Sequence, residues 1–65
     1  MLNLQIKTGG AAFCDADGNE DRTSEAIEIV RILREIAADI EANPKRLSGS
    51  KNDINGNKVA TWKRD

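Results

Sequence analysis

Leu2, Leu4 and Ile6 alternate with Asn3, Gln5 and Lys7 at the start of the chain, which is the period of a half-buried strand. This predicts a strand over residues 2–8, ended by Gly9-Gly10. Ala11-Ala12-Phe13 is a short apolar run expected to fold back onto the core, and it leads into an acidic loop over residues 14–22 with Asp17-Gly18 as its tight turn. Thr23 or Ser24 can then cap a helix over residues 24–42, with Glu25 in its first turn and Asn43-Pro44 as its stop. At 100° per residue, Ala26, Ile29, Val30, Leu33, Ile36, Ala37 and Ile40 fall within one arc of about 120°. Glu28, Arg31, Arg34, Glu35 and Asp39 occupy the other side. Ile27 and Ile32 lie on or beyond the flanks of the arc, where they either cover the margins of the sheet or stand as exposed apolar contacts, the place to look for self-association.

Residues 44–50 read as a linker. Asn55-Gly56 is a strong hairpin signal, because a type I′ turn needs positive φ at both central positions. It predicts a hairpin over residues 50–64, with strands of 50–54 and 57–64. Strict alternation puts Val59 and Trp62 on opposite faces, so either a bulge intervenes or one of the two is exposed. The expected fold class is α+β: a small three-stranded antiparallel sheet with one amphipathic helix packed on one face, forming a single domain over residues 1–65. The expected core is Leu2 or Leu4, Ile6, Phe13, Ile29, Val30, Leu33, Ile36, Ile40, Ile54 and one of Val59 or Trp62.

Composition narrows the chemistry. A chain of 65 residues with 38% hydrophobic residues has too little interior for a deep substrate cavity beside its own core. It has no His, no Tyr and a single Cys, which excludes His-based acid–base chemistry, Ser-His-Asp and Cys-His triads, zinc fingers and an internal disulfide. No catalytic centre and no cofactor are expected. Apolar runs are far shorter than the roughly 20 residues of a membrane span, and the first residues lack the pattern of a secretion signal. A cytoplasmic protein without membrane contact is the expectation. The net charge of −1 is unevenly spread: residues 1–43 carry four basic and nine acidic side chains, and residues 44–65 carry six and two. Such a division can mark a binding surface.

Several constellations invite a chemical reading. Asp15, Asp17 and Asn19 match the opening of a calcium loop, but Glu20 stands where a turn-forming Gly is needed and Ala26 where the bidentate Glu belongs. Glu28, Glu35 and Asp39 share a helix face with Arg31 and read as a solvated, ion-paired face. Cys14 has no His to activate it and reads as structural. Asp15, Asp17, Glu20 and Asp21 can imitate the phosphates of DNA towards a Lys/Arg-lined channel, or simply solvate a loop and load the helix N-terminus with negative charge. Lys51, Lys58, Lys63 and Arg64, with Trp62 available for stacking on a base, form a candidate nucleic-acid surface.

Three segments together resemble a family of short phage and prophage proteins: Lys7-Thr8 with Ala11-Ala12-Phe13, Ile32-Leu33-Arg34, and Asp53-Ile54-Asn55-Gly56-Asn57-Lys58-Val59 followed by Trp62. The chain departs from that pattern at Gly10, where Asn is usual, and at Ala60, where Gly is usual. The resemblance implies an accessory factor of the kind that includes inhibitors of host defence such as anti-CRISPR proteins. The leading expectation is thus a non-catalytic protein that binds a host protein or nucleoprotein complex, with Asp15, Asp17, Glu20, Asp21, Ile27 and Ile32 as contact residues. The second is a small nucleic-acid-binding regulator using the basic hairpin.

Overall fold

The computed structural model describes residues 1–14, 19 and 21–65. Strand β1 (Leu2–Ile6) leads through a 3₁₀ turn at Ala11–Phe13 to helix α1 (Arg22–Ala42), and strands β2 (Ser48–Asn52) and β3 (Lys58–Arg64) close the chain. The fold is α+β, with one helix and a three-stranded antiparallel sheet in the order β1-β3-β2. β3 lies in the middle because its inward residues, Ala60 and Trp62, are buried, and a strand paired on both edges is the one whose side chains are most easily enclosed. Leu4 and Gly49 flank Trp62 across the two ladders.

The helix begins two residues earlier than the pattern suggests. Neither Thr23 nor Ser24 caps it. Asp21 does, accepting hydrogen bonds from the Thr23 and Ser24 amides at 3.3 Å each and from Ser24 Oγ at 2.9 Å. A carboxylate has acceptors for several donors at once, whereas a hydroxyl serves fewer, so Asp21 satisfies more of the unpaired amides of the first turn. At the other end Asn43 N–H returns to Asp39 O at 3.1 Å, and Pro44 prevents continuation.

The hairpin is not closed by a two-residue type I′ turn. Asp53 N–H bonds Asn57 O at 2.8 Å and Gly56 N–H bonds Asp53 O at 3.0 Å, enclosing Ile54, Asn55 and Gly56. Only Gly56 has positive φ, at +87°, as expected of a three-residue loop in which the left-handed position falls on the last residue. Asp53 Oδ1 accepts the Asn55 and Asn57 amides at 2.9 Å each, so the side chain ties up the donors that a tighter turn would pair. β2 accordingly runs over 48–52 rather than 50–54. Pairing steps from Lys51↔Ala60 to Asn52↔Lys58, which leaves Val59 as an extra residue in β3. Ala60 and Trp62, beyond the bulge, share the helix side by plain alternation.

The core consists of Phe13, Ile32, Ile36, Ala60 and Trp62, with Leu4, Ile6, Ala12, Ile29, Ile40 and Val59 packed against it. This corrects the expected list in several places. Ile32, placed beyond the flank of the apolar arc, has no exposed surface at all, while Val30 and Leu33 face outward. Leu2 is exposed at the sheet end, and Ile54 is 67% exposed because it rides on the loop that its backbone helps to close. On the wheel, the buried side of α1 is turned by about 100° from the arc read in the sequence.

Two outcomes test this packing. Ile32→Ala is expected to cost about 2–5 kcal/mol and Leu33→Ala less than about 1 kcal/mol, measured by urea unfolding. A Cβ on Gly49 would lie 2.6 Å from Trp62 Nε1. Gly49→Ala is therefore expected to cost about 1–3 kcal/mol and to shift the Trp62 emission, since the ring must yield or the strands must part.

Candidate functional site

One side of α1 is a polar clamp. Glu28 is only 4% exposed. Its Oε2 accepts the Ile54 amide at 3.0 Å and Arg31 Nη2 at 3.1 Å, and its Oε1 accepts Arg31 Nε at 2.5 Å. Arg31 also donates to the Asn52 carbonyl at 3.1 Å and to Glu35. One turn of helix therefore supplies partners for a donor and an acceptor of the hairpin backbone that the ladder leaves unpaired. Further along, Lys51 Nζ meets Asp39 Oδ2 at 2.7 Å. The expectation of a solvated, ion-paired face is corrected at Glu28, which is buried against the hairpin, and at Asp39, which pairs across to Lys51 of β2; Glu35, half-exposed and paired with Arg31, keeps the expected role.

Electrostatics follow the geometry. The Arg31 guanidinium holds the Glu28 carboxyl below the ordinary glutamate range, assisted by the Ile54 amide and opposed by burial and by Asp53. Arg31 is raised in turn, chiefly by Glu28. Asp21 is lowered by the Ser24 hydroxyl and the capped amides.

The opposite side of α1 carries the surface with the plainest capacity to bind. Ala26, Ile27, Val30, Arg34 and Ala38 line a shallow, almost wholly apolar depression, bordered by Arg31 and Glu35. Ile27 is 68% exposed, and Leu33 and Ala37 continue the apolar strip beside it. Apolar residues thus extend around most of the helix, and the sheet covers only part of them. The rim is held in place on one side, because Arg31 is locked by Glu28, Glu35 and Asn52, while Arg34 has no ion-pair partner among the described residues.

The other expected contact residues divide sharply. Asp15, Asp17 and Glu20 lie outside the described residues, as does the calcium-loop reading that began at Asp15. Asp21 is the helix cap, with both carboxylate oxygens engaged. Ile27 is exposed as expected, but Ile32 is interior and cannot contact a partner. In the basic hairpin, Trp62 is 2% exposed, with the Arg46 guanidinium 5.9 Å from its ring centre and Gly49 against its indole nitrogen. The stacking role is corrected, because no face of that ring is open to a base. Lys51 is paired with Asp39 and Arg64 is half-buried, which leaves Lys58 and Lys63 exposed.

Cys14 is half-buried, its thiol 3.5 Å from the Gly10 carbonyl, in a polar cleft of about 300 Å³ shared with Thr8, Asp21, Arg22 and Glu25. Among the described residues no group of His, Cys, Asp or Glu is placed to hold a metal ion, and no helix is long and apolar enough to cross a membrane. No family model, curated protein or solved structure matches the chain.

The clamp predicts a pH dependence. A carboxyl lowered in the folded state stabilises fully above its unfolded value, here the ordinary 4.5, and that contribution is lost as pH falls through the depressed native value. Glu28→Gln is expected to destabilise by about 1–3 kcal/mol at neutral pH. The gap from wild type should close progressively below about pH 4.5, as read from urea midpoints across the acid range. Asp21 acts in the same direction, so the variant keeps part of the acid sensitivity.

Proposed function

We propose that this protein is a non-catalytic binding module whose contact surface is the outer face of α1. The observation that carries the reading is the depression around Ile27, Val30 and Ala38, which lies on a helix anchored from behind by the Glu28 and Arg31 clamp. Anchoring matters because a rigid helix loses little freedom on binding, so burial of its apolar strip goes into affinity. Arg34 beside the strip supplies a charge for orientation.

The resemblance to short phage and prophage proteins supports a specific role: inhibition of a host defence assembly in the cytoplasm, most concretely a CRISPR effector complex. The acidic residues contribute less broadly than charge imitation requires, since Asp21 is occupied at the helix cap; Asp15, Asp17 and Glu20 carry what remains of that reading.

The test is inhibition of target cleavage by a purified effector complex. Wild-type protein is expected to inhibit, and Ile27→Glu with Val30→Glu is expected to lower inhibition at least tenfold while circular dichroism and the unfolding midpoint stay unchanged. A double variant that inhibits as wild type overturns the helix face. A variant with Asp15→Asn, Asp17→Asn and Glu20→Gln that alone loses inhibition assigns the contact to the acidic loop instead. Wild type inert towards every effector type tried overturns the defence-inhibitor role.

A further inference from the structure

The sheet has a second face, away from the helix. Alternation places Asn3, Gln5 and Lys7 of the first strand region on it, with Thr61 and Lys63 of β3 and, by register, Ser48 and Ser50 of β2. Two shallow grooves run along this face and share Gln5 and Thr61: one also includes Lys7, Lys58 and Val59, and the other Asn3 and Lys63. Amides, a hydroxyl and ammoniums line the grooves beside the apolar Val59 and Trp62, the latter 2% exposed with its ring packed in the core, and no carboxylate lines either groove.

Five carboxylates, Glu25, Glu28, Glu35, Asp39 and Glu41, belong to α1 on the far side of the sheet, while Asp53 is buried in the hairpin turn and Asp65 pairs with the amino terminus. Lys7, Lys58 and Lys63 have no ion-pair partner among the described residues, whereas Arg22, Arg31 and Lys51 are each paired within the fold. Lys7 stands opposite Val59, whose carbonyl accepts its amide, and Lys63 stands opposite Asn3. Four strand residues separate these levels, about 13 Å at the usual rise of a strand, so the cations are spread along the groove rather than gathered at one point. Such a row suits an extended polyanion better than a single small anion.

The face also indicates which polyanion. Phe13 and Trp62 are both buried, so the open face has no aromatic platform for unstacked bases, the feature on which single-strand binding relies. Its amides and hydroxyls can donate to phosphate oxygens, contacts that position a backbone without reading sequence. We propose that the open face of the sheet binds the phosphate backbone of duplex nucleic acid without sequence preference, through Lys7, Lys58 and Lys63 with Gln5 and Thr61 between them. This surface is on the other layer from the outer face of α1 and stands whether or not that face contacts a protein.

Fluorescence anisotropy of a short labelled DNA duplex tests it. Binding is expected at low salt, with log K falling against log salt at a slope of about −2.7, from roughly 0.9 per neutralised phosphate. Lys7→Gln, Lys58→Gln and Lys63→Gln should each flatten the slope by about one. The triple variant should lose at least tenfold in affinity at low salt with its unfolding midpoint unchanged. Lys45→Gln, which lines neither groove, and the charge-neutral Ile27→Gln with Val30→Gln should bind as wild type, which separates this surface from the helix face. Wild type that fails to bind at low salt, single variants with an unaltered slope, or tighter binding to the single strand than to the duplex would each overturn the proposal.

Discussion

The Glu28 carboxylate against the hairpin backbone decides the arrangement of this protein. A helix over a three-stranded sheet can roll about its own axis at modest cost as long as some apolar residues remain beneath it. What removes that freedom here is the Ile54 amide and the Asn52 carbonyl, which lie where the β2–β3 ladder has been interrupted. The part-buried Ile54 amide, left unpaired, would cost about 1–3 kcal/mol, and the more exposed Asn52 carbonyl less. Glu28 and Arg31 pair with them, and that requires the helix to turn its Glu28 and Ile32 side toward the sheet. The bulge at Val59, the three-residue loop and the burial of Ile32 are then parts of one solution.

The same roll creates the surface available for binding. With Ile29, Ile32, Ile36 and Ile40 serving the interior, Ile27, Val30 and Leu33 are left exposed. Among the described residues, no further helix or strand lies over the outer helix face or the open sheet face. The two exposed layers are chemically opposite: an apolar helix strip above an acidic flank, and a hydroxyl- and amide-rich sheet face with unpaired lysines.

Parts of the fold were legible at the level of individual residues. Alternation from Leu2 to Ile6, the unbroken helical period before Asn43-Pro44, and Asn55-Gly56 led to the elements observed, within two residues at most ends. Other details were not. Asp21 reads from the sequence as a contact residue or as negative charge at the helix N-terminus, and only the structure makes it the cap in place of Thr23. The positive φ of Gly56 was expected, but the negative φ of Asn55 depended on Asp53, whose side chain takes up two amides. The pattern leaves Trp62 between a core place and a base-stacking one, and it is in the core, the ring against which Gly49 rests, a close approach visible only when the two strands are paired.

The sequence by itself determined the fold class, the number and kinds of elements, the site of the hairpin and the poverty of catalytic groups, because each rests on local periodicity, on turn residues or on composition. It could not determine which side of α1 faces inward. Apolar residues are spread around too much of that helix for its period alone to select a face, so Ile32 and Leu33, adjacent and chemically alike, had to be sorted by something outside the helix. The deciding groups belong to a turn more than twenty residues away in the chain, and they act through hydrogen bonds that exist only once β2 and β3 have paired. Tertiary structure therefore decided which apolar residues form the core and which are left exposed.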